Sequence, residues 1–188
     1  MTREPNWLIW YKDIISKLRI ALYKFENGDL DFQSFTNEVN KSLVSCGYDP
    51  IKVVISDFMT RFFEAYAMYV PRKPMSTVYV STELMKKPRP LIGRVLIHEV
   101  FHHVLFQRPP SLLFKLAPRR VEPLILIAMP SMIMVMLALL FNVYVYVIIF
   151  SLAMSLITSV LIKALNEHEL VATAFVVYLI TGEWVRDW

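Results

Sequence analysis

From Leu124 to Ile162 the chain runs through thirty-nine residues without a charged side chain. No other stretch constrains the fold as much. As one helix it would be about 58 Å long, roughly twice the hydrocarbon thickness of a bilayer. A core helix of a soluble domain has no use for that length of apolar surface. The pattern therefore predicts two membrane-crossing helices, 124 to 141 and 143 to 162, forming a hairpin that turns at Asn142. Pro130 would kink the first span, which membrane helices tolerate. Val and Tyr beside the turn are poor turn formers, so the turn is the weakest point of this expectation. Arg108, Lys115, Arg119 and Arg120 precede the hairpin and Lys163 follows it, whereas the turn carries no charge. By the positive-inside tendency both ends face the cytoplasm. The expectation is a multi-pass protein of the cell membrane, with the lipid bilayer as a partner and its site on the cytoplasmic side.

The chain has 188 residues, enough for one modest domain beside such a hairpin. Apolar types make up 56% and charged types 19%, an excess of apolar residues over an ordinary soluble domain that the hairpin accounts for. The formal net charge of +4 fits attraction to anionic headgroups. It does not indicate nucleic-acid binding, because the basic residues between Lys12 and Arg61 are scattered and show no interleaving with aromatics. Cys46 is the single cysteine, which excludes an intrachain disulfide and a cysteine metal cluster. The first apolar run, WLIWY, is short and soon interrupted by Lys12 and Asp13. It does not read as a cleavable signal peptide, so insertion would rely on the hairpin.

Before the hairpin, Trp7, Leu8, Tyr11, Ile14, Ile15, Leu18, Leu22 and Phe25 recur three and four apart, predicting an amphipathic helix over 6 to 25 that ends before Asn27-Gly28. A second short helix is expected over 31 to 45. Residues 51 to 69 are rich in apolar and aromatic types with Lys52, Asp57, Arg61 and Glu64 along one edge, and read as a helix with one buried face, ended by Pro71 and Pro74. Thr77 to Ser81 reads as a short strand. The next helix is expected from Leu91 to before Pro109-Pro110, and a last one over 164 to 181, ending at Gly182. The fold class expected is mostly α with a small β-sheet. Its catalytic part would be built from 1 to 120 and completed by 164 to 188, around a membrane hairpin at 121 to 163.

The chemistry lies in His98-Glu99-Val100-Phe101-His102, an HExxH motif inside the predicted helix. Residues four apart project from one face, so His98 and His102 can grip one ion, and Glu99 lies one residue round, where it can reach a water. Two imidazoles suit zinc, and the carboxylate suits general-base work. His103 is rotated away from the pair and reads as a supporting or surface residue. A catalytic zinc site needs a third protein ligand. Asp57, Glu64, Glu83, Glu122, Glu167, His168 and Glu169 all remain open on the residues alone.

Here the chain resembles the HtpX-like family of membrane metallopeptidases, which includes the CAAX-processing zinc proteases. The resemblance spans about residues 75 to 182, through the strand Val78-Tyr79-Val80, the HExxH helix, two hydrophobic spans and Glu169-Leu170-Val171-Ala172. It implies a zincin-like catalytic domain, Zn2+ as cofactor, and Glu169 as the third ligand, since in that family a glutamate followed three residues later by alanine supplies it. The family often has an aspartate four residues beyond that ligand, where this chain has Thr173. The reaction implied is endoproteolysis of membrane-associated or unfolded polypeptides near the cytoplasmic membrane surface. Zinc would polarise the scissile carbonyl and Glu99 would move the protons. His168, Tyr79, Tyr178 and Arg186 are conceivable oxyanion donors, and the strand at Thr77 to Ser81 is a candidate edge for an extended substrate. The competing reading is an inactive zinc-binding membrane scaffold or regulator, against which the presence of Glu99 argues.

Overall fold

The computed structural model describes residues 5–57, 65–72, 74–111 and 144–184. They divide into two compact units, Met1–Pro110 with Glu169–Trp188, and Ser111–His168.

The first unit opens with a 3-10 turn, Asn6–Tyr11, running into helix α1, Lys12–Glu26. The apolar residues spaced three and four apart fall on one face, and Leu8, Tyr11, Ile14, Ile15, Leu18, Leu22 and Phe25 are all buried. The chain leaves α1 through Gly28, whose φ of +89° only glycine adopts without strain. Helix α2, Phe32–Ser45, starts where the Asp31 carboxylate accepts the Ser34 backbone N–H at 2.7 Å.

A three-stranded sheet follows, made of β1, Ile51–Ile55, β2, Ala67–Val70, and β3, Ser76–Val80. Its order is β1-β3-β2. Strand β3 runs parallel to β1, with Ile51 opposite Ser76, and antiparallel to β2, with Tyr69 opposite Val78. The helix expected over 51 to 69 is thereby replaced, within the described residues, by two strands at its ends. Ile51, Val53 and Val54 are β-branched and fit a pleated surface, and their pairing partner lies far along the chain, where a local periodicity cannot register it. The strand expected at Thr77 to Ser81 is present one residue earlier, but it is the central strand. Both of its edges are occupied, so it is not an open edge for a substrate.

Helix α3, Arg89–Gln107, is the centre of the unit. Buried residues surround it on every side, from Ile92 and Leu96 to Phe101, Val104 and Leu105. It packs on α1 along one side and on β2 and β3 along another. Gly93 sits where α3 meets α1, and a Cβ there would stand 2.5 Å from Leu22 Cδ1 and 3.1 Å from Phe25 Cδ1. The absence of a side chain sets the spacing of the two helices at this point.

Helix α4 runs from Tyr144 to Thr181. Its residues from Glu169 onward belong to the first unit, where Ala172, Ala174, Phe175 and Leu179 are buried. Phe175 stacks on Phe101 with centroids 4.5 Å apart and also meets Trp7, Tyr11 and Trp184 edge-on. The helix ends at Gly182, φ +77°, and the Arg19 guanidinium donates to the last-turn carbonyls of Tyr178 (2.8 Å) and Leu179 (2.6 Å). The second unit, taken by itself, is described from Tyr144 to His168 as the earlier part of α4, with Ile149, Leu156, Ile157 and Ile162 exposed.

The mostly helical fold with a small sheet stands, but the transmembrane hairpin does not. Among the described residues no helix is long and apolar enough to cross a membrane. The first expected span, 124 to 141, lies outside the described residues. The second, 143 to 162, is no separate element: the helix does not stop at Ile162 but continues through Lys163, Glu167, His168 and Glu169. An uncharged run shows where a helix has apolar surface and not where it ends, and no Gly or Pro stands between Tyr144 and Thr181 to end it. The expected multi-pass placement in a cell membrane falls with the hairpin.

Candidate metal centre

The HExxH motif occupies the middle of α3, so a buried helix carries three ionisable groups in its core. Glu99, His102 and His103 are all buried. A merely structural helix gains nothing from them, because each must be desolvated and satisfied.

His98 and His102, one turn apart, bring their Nε2 atoms to 3.0 Å. From α4, Glu169 lays its carboxylate across both, with Oε2 at 3.4 Å from His98 Nε2 and Oε1 at 3.4 Å from His102 Nε2. The two imidazole nitrogens thus stand 3.0 Å apart, and each lies 3.4 Å from a different oxygen of the Glu169 carboxylate. Ligands each about 2.0–2.1 Å from a zinc ion at the tetrahedral angle would stand about 3.3–3.4 Å apart. The donor set and its spacing fit such an ion, and the Glu169 side chain is 57% exposed.

Glu99 approaches the same place, with ligand atoms of His98, Glu99 and His102 all within 4.8 Å of one another. Its Oε2 accepts the Tyr69 backbone N–H of β2 at 2.7 Å. Burial pushes the Glu99 carboxyl above its ordinary value, against the pull of the two histidines and the Tyr69 N–H. Burial also opposes protonation of His102, yet the bond to Glu169 and the charges of Glu99 and Glu169 outweigh it and leave its pKa raised. Glu169 is held well below the usual carboxylate range, its desolvation overcome by hydrogen bonds from His102 and His98.

The place of Glu169 beside the two histidines is set by the packing that ends α4. Phe175 on Phe101 and Arg19 on the last carbonyls tie the closing turns to the same core that holds α3.

Of the other candidate third ligands, Asp57 accepts from Thr82 N–H (2.8 Å) and Thr82 Oγ1–H (2.6 Å), and Glu83 pairs with Lys87 at 3.5 Å. Glu64 and Glu122 lie outside the described residues, as does Arg186, and Glu167 and His168 belong to the second unit. Thr173 is half-buried one turn beyond Glu169. Of the conceivable oxyanion donors, Tyr79 stands on the central strand β3, and Tyr178 lies near the end of α4 with its ring against Trp184.

His103 is neither a surface residue nor part of the three-donor group. It is fully buried, with Nδ1 3.1 Å from Tyr69 Oη and Nε2 2.8 Å from the Asp49 carbonyl. Sequence reasoning missed Tyr69 altogether, because it falls inside the stretch read as one helix. No local signal marks a strand whose amide faces a glutamate thirty positions away.

No protein-family model, no curated protein and no solved structure matches this chain.

Proposed function

We propose that this chain is a zinc-dependent metalloendopeptidase that hydrolyses peptide bonds in unfolded or extended polypeptides. The observation that carries the reading is the convergence of His98, His102 and Glu169 at 3.0 to 3.4 Å beside the buried Glu99. The order of the strand, the HExxH helix and the Glu-x-x-Ala helix, similar to the HtpX-like metallopeptidases, agrees with it.

Zinc in this site would supply Lewis-acid polarisation of the scissile carbonyl and of the attacking water. His98, His102 and Glu169 would hold it from two helices that share one packed core. Glu99 removes the water's proton during attack and delivers it to the leaving amine. Burial, by raising its carboxyl, brings Glu99 nearer the proton affinity that such a shuttle needs. Glu99 and His102 are themselves buried, and exclusion of water strengthens the electrostatic interactions between them. An extended polypeptide would be received at β2, an edge strand in contact with α3, and not at β3, whose edges are both paired.

The test is metal content of the purified wild type beside His98→Ala and Glu169→Ala, with hydrolysis of an unfolded polypeptide followed before and after chelation. About one zinc per wild-type chain, lost in both variants, with hydrolysis removed by chelator and restored by zinc, is the expected result. A folded wild type that takes up no zinc on reconstitution would overturn the reading. Full metal content in Glu169→Ala would remove Glu169 from the ligand set.

A further inference from the structure

We propose that His103 is a positioning residue for Glu99, acting through the strand residue Tyr69. Glu99 is held by a single backbone group, the Tyr69 N–H at 2.7 Å, and Tyr69 is in turn held by its side chain. Its hydroxyl stands 3.1 Å from His103 Nδ1 and 3.2 Å from Ser76 Oγ. Nε2 has two neighbours, the Asp49 carbonyl at 2.8 Å and the Gln107 amide nitrogen at 3.1 Å, and the amide already donates to Asp49 Oδ2. The carbonyl can only accept, so its shorter contact assigns the imidazole proton to Nε2. Nδ1 is then the bare nitrogen that accepts the Tyr69 O–H, and Ser76 Oγ–H donates to the Tyr69 oxygen.

The far end of this relay is also anchored. Asp49 N–H donates to Gln107 Oε1 at 3.0 Å and Gln107 Nε2 donates to Asp49 Oδ2 at 3.0 Å, so the Asp49 carbonyl is fixed to the last turn of α3. The helix that carries Glu99 therefore also fixes the strand amide that orients it, through His103 four residues further along. The imidazole ring is fully buried and packs edge-on against the Tyr69 ring, 5.6 Å between centroids, which leaves it one orientation. A histidine that merely filled core space would have no need for directed partners at both ring nitrogens, one of them on the strand that touches Glu99.

The catalytic consequence rests on the metallopeptidase reading, but the geometric one does not, and the experiment separates them. Zinc-reconstituted full-length wild type, Tyr69→Phe, His103→Ala and His103→Asn would be compared by amide hydrogen exchange and by steady-state hydrolysis. Tyr69→Phe keeps the ring and the backbone, and so remains foldable if the cavity of His103→Ala does not. Exchange of the residue 69 amide is expected to quicken by about tenfold, the worth of one hydrogen bond, in Tyr69→Phe and His103→Ala. The amides of β3 would be unmoved. kcat is expected to fall by about the same factor with KM held within about twofold, and zinc content to stay at the wild-type level. His103→Asn, whose Oδ1 can stand where Nδ1 accepts, is expected to recover part of both losses. Wild-type protection of the residue 69 amide in Tyr69→Phe would overturn the proposal, whatever the activity. Quickened exchange in Tyr69→Phe and His103→Ala, together with no hydrolysis by the zinc-reconstituted wild type, would leave the positioning intact and sink the peptidase reading instead.

Discussion

Glu99 is a buried carboxylate bonded to the Tyr69 backbone amide and within reach of two imidazoles, the arrangement on which its proposed general-base role rests. Glu99→Gln keeps the size of the side chain and an acceptor for the Tyr69 N–H. It is expected to retain zinc while kcat falls by about 10²–10⁴, the range for a lost general base. Metal analysis and turnover on the same preparation check this, and undiminished turnover would end the assignment. His103 yields a second prediction, about stability. Burial lowers its pKa against the pull of Asp49, so the folded state favours the neutral ring. A histidine whose pKa is depressed on folding stabilises fully above its unfolded value, near 6.5, and loses that contribution as pH falls. The slope is at most about 1.4 kcal/mol per pH unit for one proton. Urea unfolding of metal-free wild type and His103→Asn between about pH 5 and about pH 8 should show the wild-type advantage shrinking toward the acid end. Curves that stay parallel would show that His103 binds protons alike in both states. Of these residues, His98, Glu99 and His102 were legible in the sequence because their chemistry is written at helical spacing. His103 was visible but not its role, since its partners Asp49 and Tyr69 come from a loop and a strand with no sequence relation to it.

Elements succeed or fail as sequence signals according to where their partners lie. Helices α1 and α2 each bury one face, and their apolar spacing shows it directly, whether the partner is the adjacent helix or, for α1, the distant α3. Strands β1 and β2 have no meaning without β3, and with Lys52 and Asp57 spaced like a helix edge the local pattern favoured the wrong period. The continuation of α4 past Ile162 was equally hidden, because an apolar run carries no stop signal of its own. What the sequence lacked, the aromatic packing supplies: Phe175, six residues after Glu169, is completely buried against Phe101, Tyr11, Trp7 and Trp184. Phe175→Ala should cost about 3–5 kcal/mol of stability, the range for deleting a buried aromatic ring. It should also weaken zinc binding, because the turns that aim Glu169 lose their anchor. Thermal unfolding and zinc titration of the variant test both halves. Lower stability with unchanged zinc affinity would mean that Glu169 is aimed independently of this cluster.

For the whole molecule, the decisive fact is that the first unit is discontinuous, Met1–Pro110 closed by Glu169–Trp188. The closing segment brings the proposed ligand Glu169 and several core side chains at once. The core around Tyr11 and Phe101 is therefore incomplete without it, and so is the three-donor group. On the proposed reading, folding of this unit and formation of the metal site should then be one event, with zinc adding stability by mass action to the closed form alone. A chain truncated after His168 would keep His98, Glu99 and His102 but lose Glu169, Phe175 and the carbonyls of Tyr178 and Leu179 that cap Arg19. It is expected to unfold at a lower temperature than the wild type and to show no rise in melting temperature on adding zinc, whereas the full chain shows a rise that grows with zinc concentration. Differential scanning calorimetry across a zinc series distinguishes the cases. An equal zinc-dependent rise in both chains would mean that His98 and His102 suffice to hold the ion. The closing helix would then serve the core alone, and the peptidase site would have to find its third ligand elsewhere.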